Sequence, residues 1–453
     1  MSSFGSSISR RSRTTTKSTF GSRKSTTTGR PSSRGSYNSS SSSRKRSSVN
    51  SNGKNKKNNS IEKRNPPGFE KKNKLGEGGF GIVWDCKMKN NGRSFAVKQL
   101  VKGPNSEAKR NVETGLNEQW FGRMWFDEGG ALRTMLGICE AMDPPEDDDE
   151  EDSNAWLWKV NPSIYPGISS IAKLITTIDT STDLWLVFEK CGIPLTELLW
   201  ELKGGFHKGT RIYTCRRRSF WKAMKENTDV LRKFLLKLFE ALELISDSNT
   251  VHSDLKPDNI LVNYMRGDDN FHSLKIIDFG SAYDFDNVEK VNSATPEYLP
   301  PEALSLQCTR KVGHSLETVR KTLRDDSAPH AVDMWSVGCI FLEICSGFPL
   351  WFSYKSKVDN GTTFLKGLFA VNGRTPEKII ARQVDVVSNL PSVLKKYPEL
   401  GLSNDPYAMD LLCSMLHLDP QKRISPKDAM NHPFITTLTS DFDALEEKKG
   451  GGK

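Results

Sequence analysis

The sequence predicts an α+β chain of two lobes, strand-rich first and helix-rich after, with a cleft between them. Three observations carry this. Residues 69–102 alternate apolar and polar positions between glycine-rich turns, the pattern of β-strands. Residues 229–246 place Val230, Leu231, Phe234, Leu235, Leu238, Phe239, Leu242 and Ile245 in a wide apolar stripe, the pattern of an amphipathic helix. Residues 333–345 are almost wholly apolar, as in a helix buried on every side.

The elements follow in order. Residues 106–140 read as helical, with Val112, Leu116, Trp120, Met124 and Leu132 near a 3.6-residue period, interrupted by Gly129 and Gly130. Residues 168–190 read as two further strands, ending in Leu184-Trp185-Leu186-Val187-Phe188. Beyond Cys191 the chain reads as mostly helical. No internal repeat is present.

Composition narrows the function classes. The chain has 453 residues, 36% apolar and 26% charged, the balance of a soluble globular protein. No apolar run reaches the 18 or more residues of a membrane span, and the N-terminus has Ser, Arg and Thr where a signal peptide needs an apolar core. An intracellular location, cytoplasmic or nuclear, is expected. The eight cysteines form no C-x-x-C pair, so free thiols are expected rather than disulfides or zinc ligands.

Charge is unevenly distributed. Residues 1–67 hold 16 Lys or Arg against one acid, Glu62, so the net +10 of the chain leaves −5 for the remainder. This Ser/Thr/Arg-rich tail has too little to bury and is expected to be disordered. Its clusters Arg44-Lys45-Arg46 and Lys54-x-Lys56-Lys57 suit an acidic partner: a tubulin-like surface, nucleic acid or an import receptor. A solvated tail with no dedicated partner fits equally. The acidic run Glu146 to Asp152 reads as a solvated loop.

Four short stretches carry chemistry. Gly76-Glu77-Gly78-Gly79-Phe80-Gly81-Ile82-Val83 is G-x-G-x-x-G-x-V, whose glycines let a backbone approach phosphates. A dinucleotide-binding turn would need a helix after it, whereas Ile82-Val83-Trp84 continues as a strand. Seventeen residues past Gly81, the apolar strand Phe95-Ala96-Val97 ends in Lys98. Then come His252-Ser253-Asp254-Leu255-Lys256-Pro257-Asp258-Asn259 and, nineteen residues after Asn259, Asp278-Phe279-Gly280.

In order and spacing these stretches resemble the eukaryotic protein kinase superfamily, serine/threonine type, over about residues 69–435. The resemblance implies a bilobal kinase fold: a small antiparallel β-rich N-lobe with one regulatory helix (69–190), and a larger, mostly α-helical C-lobe (191–435). An acidic insertion would occupy about 143–155, and a tail 436–453. It implies transfer of the γ-phosphoryl group of ATP, with Mg²⁺, to Ser or Thr of protein substrates by a monomeric enzyme. Asp254 would accept the hydroxyl proton, Lys256 would sit near the γ-phosphate, and Thr295 would contact the catalytic loop. Asn259 and Asp278 would hold Mg²⁺. Gly76, Gly78 and Gly81 would cover the phosphates, Val83 and Ala96 the adenine, with Glu189-Lys190-Cys191 as the hinge and Phe188 bordering the inner pocket. Glu302 would pair with Arg423, and Asp333 would tether the catalytic loop.

Two departures matter. The usual H-R-D reads His252-Ser253-Asp254. Ser253 cannot receive an activation-segment phosphate, so activity is expected not to depend strongly on one. The helix Glu that pairs with Lys98 is read as Glu128, because Leu132 and Met135 follow it at helical spacing. Glu118, followed by Gly122, is the alternative. Tyr298-Leu299-Pro300-Pro301-Glu302 lacks the Arg after Tyr found in the group of cyclin-dependent and mitogen-activated kinases, so no subgroup is assigned. A pseudokinase scaffold and a cytoskeleton- or nucleic-acid-associated protein targeted by its tail are the competing readings.

Overall fold

The structure, a computed structural model, describes residues 61–78, 81–126, 165–207, 210–264, 271–291, 295–308, 313–359, 361, 364–397 and 400–437. Its contacts separate Met1–Asn50 from Ser51–Lys453, and all described residues lie in the second unit. Nearly all of the basic tail, the acidic insertion and most of 436–453 therefore lie outside the described residues.

Strands β1 (Phe69–Gly78), β2 (Gly81–Met88) and β3 (Ser94–Val101) come first, then α1 (Ser106–Phe126), β4 (Leu174–Asp179) and β5 (Asp183–Glu189). They form one antiparallel sheet in the order β1-β2-β3-β5-β4. One face buries Phe69, Trp84, Phe95, Val97, Trp185 and Val187. The other receives α1.

The approach of α1 depends on two glycines. A Cβ on Gly115 would lie 2.8 Å from Leu100 Cδ2, and one on Gly122 would lie 2.8 Å from Leu174 Cβ. Seven residues apart, they lie on one face of the helix, where their missing side chains let it rest against β3 and β4. Glu118 sits between them on that face and is buried. The apolar stripe read from the sequence is thus displaced. Leu116 and Trp120 are each 50% exposed, while Phe121, Met124 and Trp125 are buried.

The larger unit is built on helices, as expected, but less completely. It begins with β6 (Ile193–Pro194) and α2 (Leu195–Leu199). A hairpin the sequence reading missed follows, β7 (Trp200–His207) and β8 (Thr210–Arg217). Then come α3 (Ser219–Glu226) and α4 (Thr228–Asp247). Asn227 caps α4, its side chain accepting from the Asp229 N–H. Short strands β9 (Thr250–Val251), β10 (Ile260–Asn263), β11 (Ser273–Ile276) and β12 (Tyr283–Asp284) precede α5 (Pro301–Ser305) and α6 (Leu316–Arg320).

Helix α7 (Ala331–Ser346) is buried at every residue, as its composition requires, and ends at Gly347 in the left-handed region (φ 61°). β13 (Ser356–Val358) and β14 (Phe364–Leu365) join the hairpin in a sheet ordered β14-β13-β8-β7. α8 (Pro376–Ser388), α9 (Leu390–Leu394), α10 (Pro406–Met415) and α11 (Pro426–Met430) complete the described fold. Of the eight cysteines, the seven described are free.

Candidate active site

Two pairs of short strands hold the chemical residues. β10 pairs with β11 from Ile260↔Ile276 to Asn263↔Ser273, and β9 pairs with β12 at Val251↔Tyr283. The loop 252–259 therefore leaves β9 and enters β10, while 277–282 leaves β11 and enters β12. Pairing at both ends fixes the two loops side by side. The Ile277 N–H donates to the Asn259 carbonyl at 3.0 Å.

Asp333, at the start of α7, holds the first loop. Its Oδ2 accepts from the His252 N–H at 2.7 Å and its Oδ1 from the Ser253 N–H at 2.9 Å, the tether expected for it. Ser253 adopts φ 61° and Asp278 φ 67°, a left-handed backbone that is strained in non-glycine residues. Such strain persists only where surrounding contacts over-determine the loop. The Ser253 hydroxyl donates to the Ser281 carbonyl at 2.7 Å, so this serine joins the two loops.

On the sheet, Val83 pairs with Lys98 and Asp85 with Ala96, which puts Val83, Ala96 and Lys98 on one face. The β1–β2 hairpin aligns Gly78 with Gly81, so the glycine-rich stretch joins strand to strand, as its sequence implied. Open space surrounds Gly76 and Gly78, whereas a Cβ on Gly81 would meet the Gln99 carbonyl oxygen at 2.6 Å. Phe188 packs against Leu100, Leu174, Leu184 and Leu186. After it the chain turns through Glu189, Lys190 and Cys191, with Glu189 Oε1 2.6 Å from Lys275 Nζ and Lys190 Nζ 2.9 Å from Asp85 Oδ2.

Lys98 is the centre of the electrostatics. Its Nζ lies 2.6 Å from Glu118 Oε2 and 2.8 Å from Asp278 Oδ1. Burial disfavours the ammonium, but the two carboxylates outweigh it and raise the Lys98 pKa. Burial also opposes charge on Asp278, and Lys98 more than offsets this, so Asp278 titrates below the ordinary range. Glu118 is pushed upward, by burial first and by the nearby Asp278 charge as well, with Lys98 pulling the other way.

This corrects the choice of helix glutamate. Glu128 lies outside the described residues, and the carboxylate on Lys98 is that of Glu118. Gly122, which counted against Glu118 in the sequence, is what brings its helix close enough.

A second cluster gathers around Asp254. Lys256 Nζ lies 2.6 Å from Asp254 Oδ2 and donates to Thr295 Oγ1 at 3.1 Å. Asn259 Nδ2 donates to the Asp254 carbonyl at 2.8 Å. Rings link the clusters to α1: the Phe279 centroid lies 4.6 Å from His252, 4.7 Å from Trp125 and 6.4 Å from Phe121. Asn117, which the sequence reading did not single out, donates through Nδ2 to the carbonyls of Gly280 at 3.2 Å and Ala282 at 2.8 Å. Only its adjacency to Glu118 could have drawn attention to it.

Scaffold pairs complete the site. Arg423 Nη1 lies 2.8 Å from Glu302 Oε1, the pair expected from the sequence. Arg374 forks the buried Glu297 with two contacts of 2.6 Å, a pair not anticipated. Among the described residues no helix is long and apolar enough to cross a membrane, and no cluster of three His, Cys, Asp or Glu could hold a metal by itself.

Residues 165–435 match the family model described as protein kinase domain. The mitogen-activated protein kinase MPS1 of Pyricularia oryzae is 33% identical over 238 residues, 48% of this chain and 51% of that protein. The mitogen-activated protein kinase pmk-1 of Caenorhabditis elegans is 30% identical over 229 residues, covering 49% and 53%. Cyclin-dependent kinase G1 of Arabidopsis thaliana is 26% identical over 382 residues, covering 81% and 48%. The chain spans about half the length of the curated relatives it matches. With more than half of its residues matched by the family model, the chain belongs to the protein kinase superfamily.

Proposed function

We propose that this chain is an active protein serine/threonine kinase that transfers the γ-phosphoryl group of ATP, with Mg²⁺, to hydroxyls of protein substrates. The carrying observation is that Lys98 bonds both Glu118 and Asp278 while Asp254, Lys256, Asn259 and Thr295 form one hydrogen-bonded cluster. The catalytic domain in this reading runs from about Phe69 to Ile435.

Phosphoryl transfer spreads negative charge over the phosphoryl oxygens, so its catalyst must orient the nucleophile and neutralise charge. Asp254 takes the proton of the acceptor hydroxyl as that oxygen bonds to the γ-phosphorus and the bond to the β–γ bridging oxygen breaks. Lys256, held between Asp254 and Thr295, presents its ammonium beside the same space. Lys98 binds the α- and β-phosphates, with Glu118 fixing its direction. The open backbone at Gly76 and Gly78 leaves room for phosphates, and the partly exposed Val83 and Ala96 cover the adenine, whose edge meets the backbone of Glu189 and Cys191.

The donor set fits a hard cation. Asp278 is held ionised, and Asn259, whose Nδ2 is directed to Asp254, keeps its amide oxygen as a ligand. Asp278 and Asn259 would hold Mg²⁺, and the bound ion would supply neutralising charge to the phosphate oxygens. The test is nucleotide binding by the full chain. ATP affinity should rise with added Mg²⁺, and Asp278→Asn should remove most of that gain. Equal affinity with and without the metal in both proteins would contradict the assignment.

A further inference from the structure

The larger lobe has a second concave surface that the catalytic reading does not use. Between α7 and α8, the chain before β13 and after β14 borders an open groove of about 680 Å³. Tyr354, Lys355, Lys366, Asn372 and Arg374 are among its described lining residues, none of which is a carboxylate, and Arg374 is already paired with the buried Glu297. This stands out in a chain whose residues after 67 carry a net −5. Lys355 and Lys366 are exposed. Tyr354 is 57% exposed and stacks on Tyr213 of β8 with centroids 5.0 Å apart, so an ordered aromatic wall stands beside the cations.

The groove is attached to the catalytic centre by a chain of contacts. Gly373 (φ 84°) and Arg374 (φ 39°) both adopt left-handed backbone, strain that is tolerated because Arg374 forks Glu297. Glu297 follows Thr295 by two residues, Thr295 bonds Lys256, and Lys256 bonds Asp254. The wall of the groove is thus fixed to the segment that borders the acceptor hydroxyl.

We infer that this groove docks an acidic, extended segment of the protein substrate. The inference rests on the kinase reading for the word substrate, but docking itself requires no catalysis. With Arg374 held by Glu297, the two exposed lysines Lys355 and Lys366 are the cations that complement a run of Asp or Glu, and such complementarity governs partner choice and encounter more than raw affinity. A polypeptide is favoured over nucleic acid because the groove adjoins the segment beside the hydroxyl acceptor site and offers a single ring instead of a row of stacking platforms.

The experiment compares two peptides with the same Ser acceptor, one flanked by four Glu and one by four Ala, on the full chain. The expected ratio of kcat/KM is about tenfold in favour of the Glu peptide, mostly through KM. Lys355→Glu with Lys366→Glu should bring that ratio to about one. Anisotropy of the fluorescein-labelled Glu peptide, measured without nucleotide, reads docking alone. Binding without phosphate transfer would support the groove while sinking the kinase reading. No binding of the Glu peptide, or a preference and an affinity that survive the double substitution, overturns the proposal. So does displacement of the peptide by a poly-dT oligonucleotide that binds more tightly through the same lysines.

Discussion

The Ser253 hydroxyl donates to the Ser281 carbonyl across 2.7 Å, joining the loop 252–259 to the segment after Asp278 by a neutral bond. Asn249 Nδ2 adds bonds to Asp284 Oδ1 at 3.1 Å and Asp286 Oδ2 at 2.9 Å, and Asn117 holds the Gly280 and Ala282 carbonyls. These contacts hold Gly280 to Asp286 through hydroxyl and amide groups of the protein itself. Ser281→Ala and Ser293→Ala should each leave kcat/KM within about threefold, whereas Thr295→Ala, which removes one of the two partners of Lys256, should lower it by about 10²-fold. Steady-state kinetics on one peptide decides this, and near-total loss from Ser281→Ala or Ser293→Ala contradicts it.

Glu118 is the carboxylate on Lys98. Glu118→Gln keeps the shape and removes the charge, and should cost about 10²-fold in kcat/KM. Glu128→Gln should stay within about threefold of the parent, since Glu118 already supplies the carboxylate on Lys98. Assaying the two side by side distinguishes the two glutamates, and the reverse ranking would restore Glu128.

Close approach of α1 predicts an overpacking effect. In Gly122→Ala the new methyl would lie 2.8 Å from Leu174 Cβ, and the helix must shift. A loss of about 1–3 kcal/mol in denaturant unfolding is expected. Activity should fall further than stability alone explains, because Glu118 moves with the helix. An unaltered midpoint and rate would show that the helix does not rest on β4.

A buried proton gives a pH dependence. Burial pushes the Glu343 carboxyl up to about 8 from an ordinary 4.5, the largest influence on it, while the hydrogen bond with the Tyr298 hydroxyl acts the other way. The folded protein then holds this proton over a pH range where the unfolded chain has released it. The stabilisation is complete below pH about 4.5, declines as pH rises through that window, and is gone by about 8. Thermal midpoints should therefore drop between pH 6 and 8.5 by more in the parent than in Glu343→Gln. Equal slopes would show that Glu343 is ionised throughout.

The sequence made most of the site legible because its motifs are short, local and ordered along the chain. Lys98, Asp254, Asn259 and Asp278 each sit in a stretch whose residue types are dictated by chemistry. What escaped the reading depends on packing. The choice of Glu118 over Glu128 turns on two glycines a helix repeat apart, and a glycine in a helix reads as a weakness until the strand behind it is known. The β7–β8 hairpin escaped because Gly204-Gly205 and its many cations dilute the strand pattern, although Ile212-Tyr213-Thr214-Cys215 is a strand signal. Arg374 was invisible because its partner Glu297 lies 77 residues away.

Phosphate transfer by the purified full chain, supplied with γ-labelled ATP, Mg²⁺ and a Ser/Thr peptide library, tests the central claim most directly when run beside Asp254→Asn. The account predicts labelled peptide from the parent and a loss of about 10²–10⁴-fold in turnover from the variant, with nucleotide binding retained. Equal label from both proteins, or none from a parent that binds the nucleotide and metal, would contradict it.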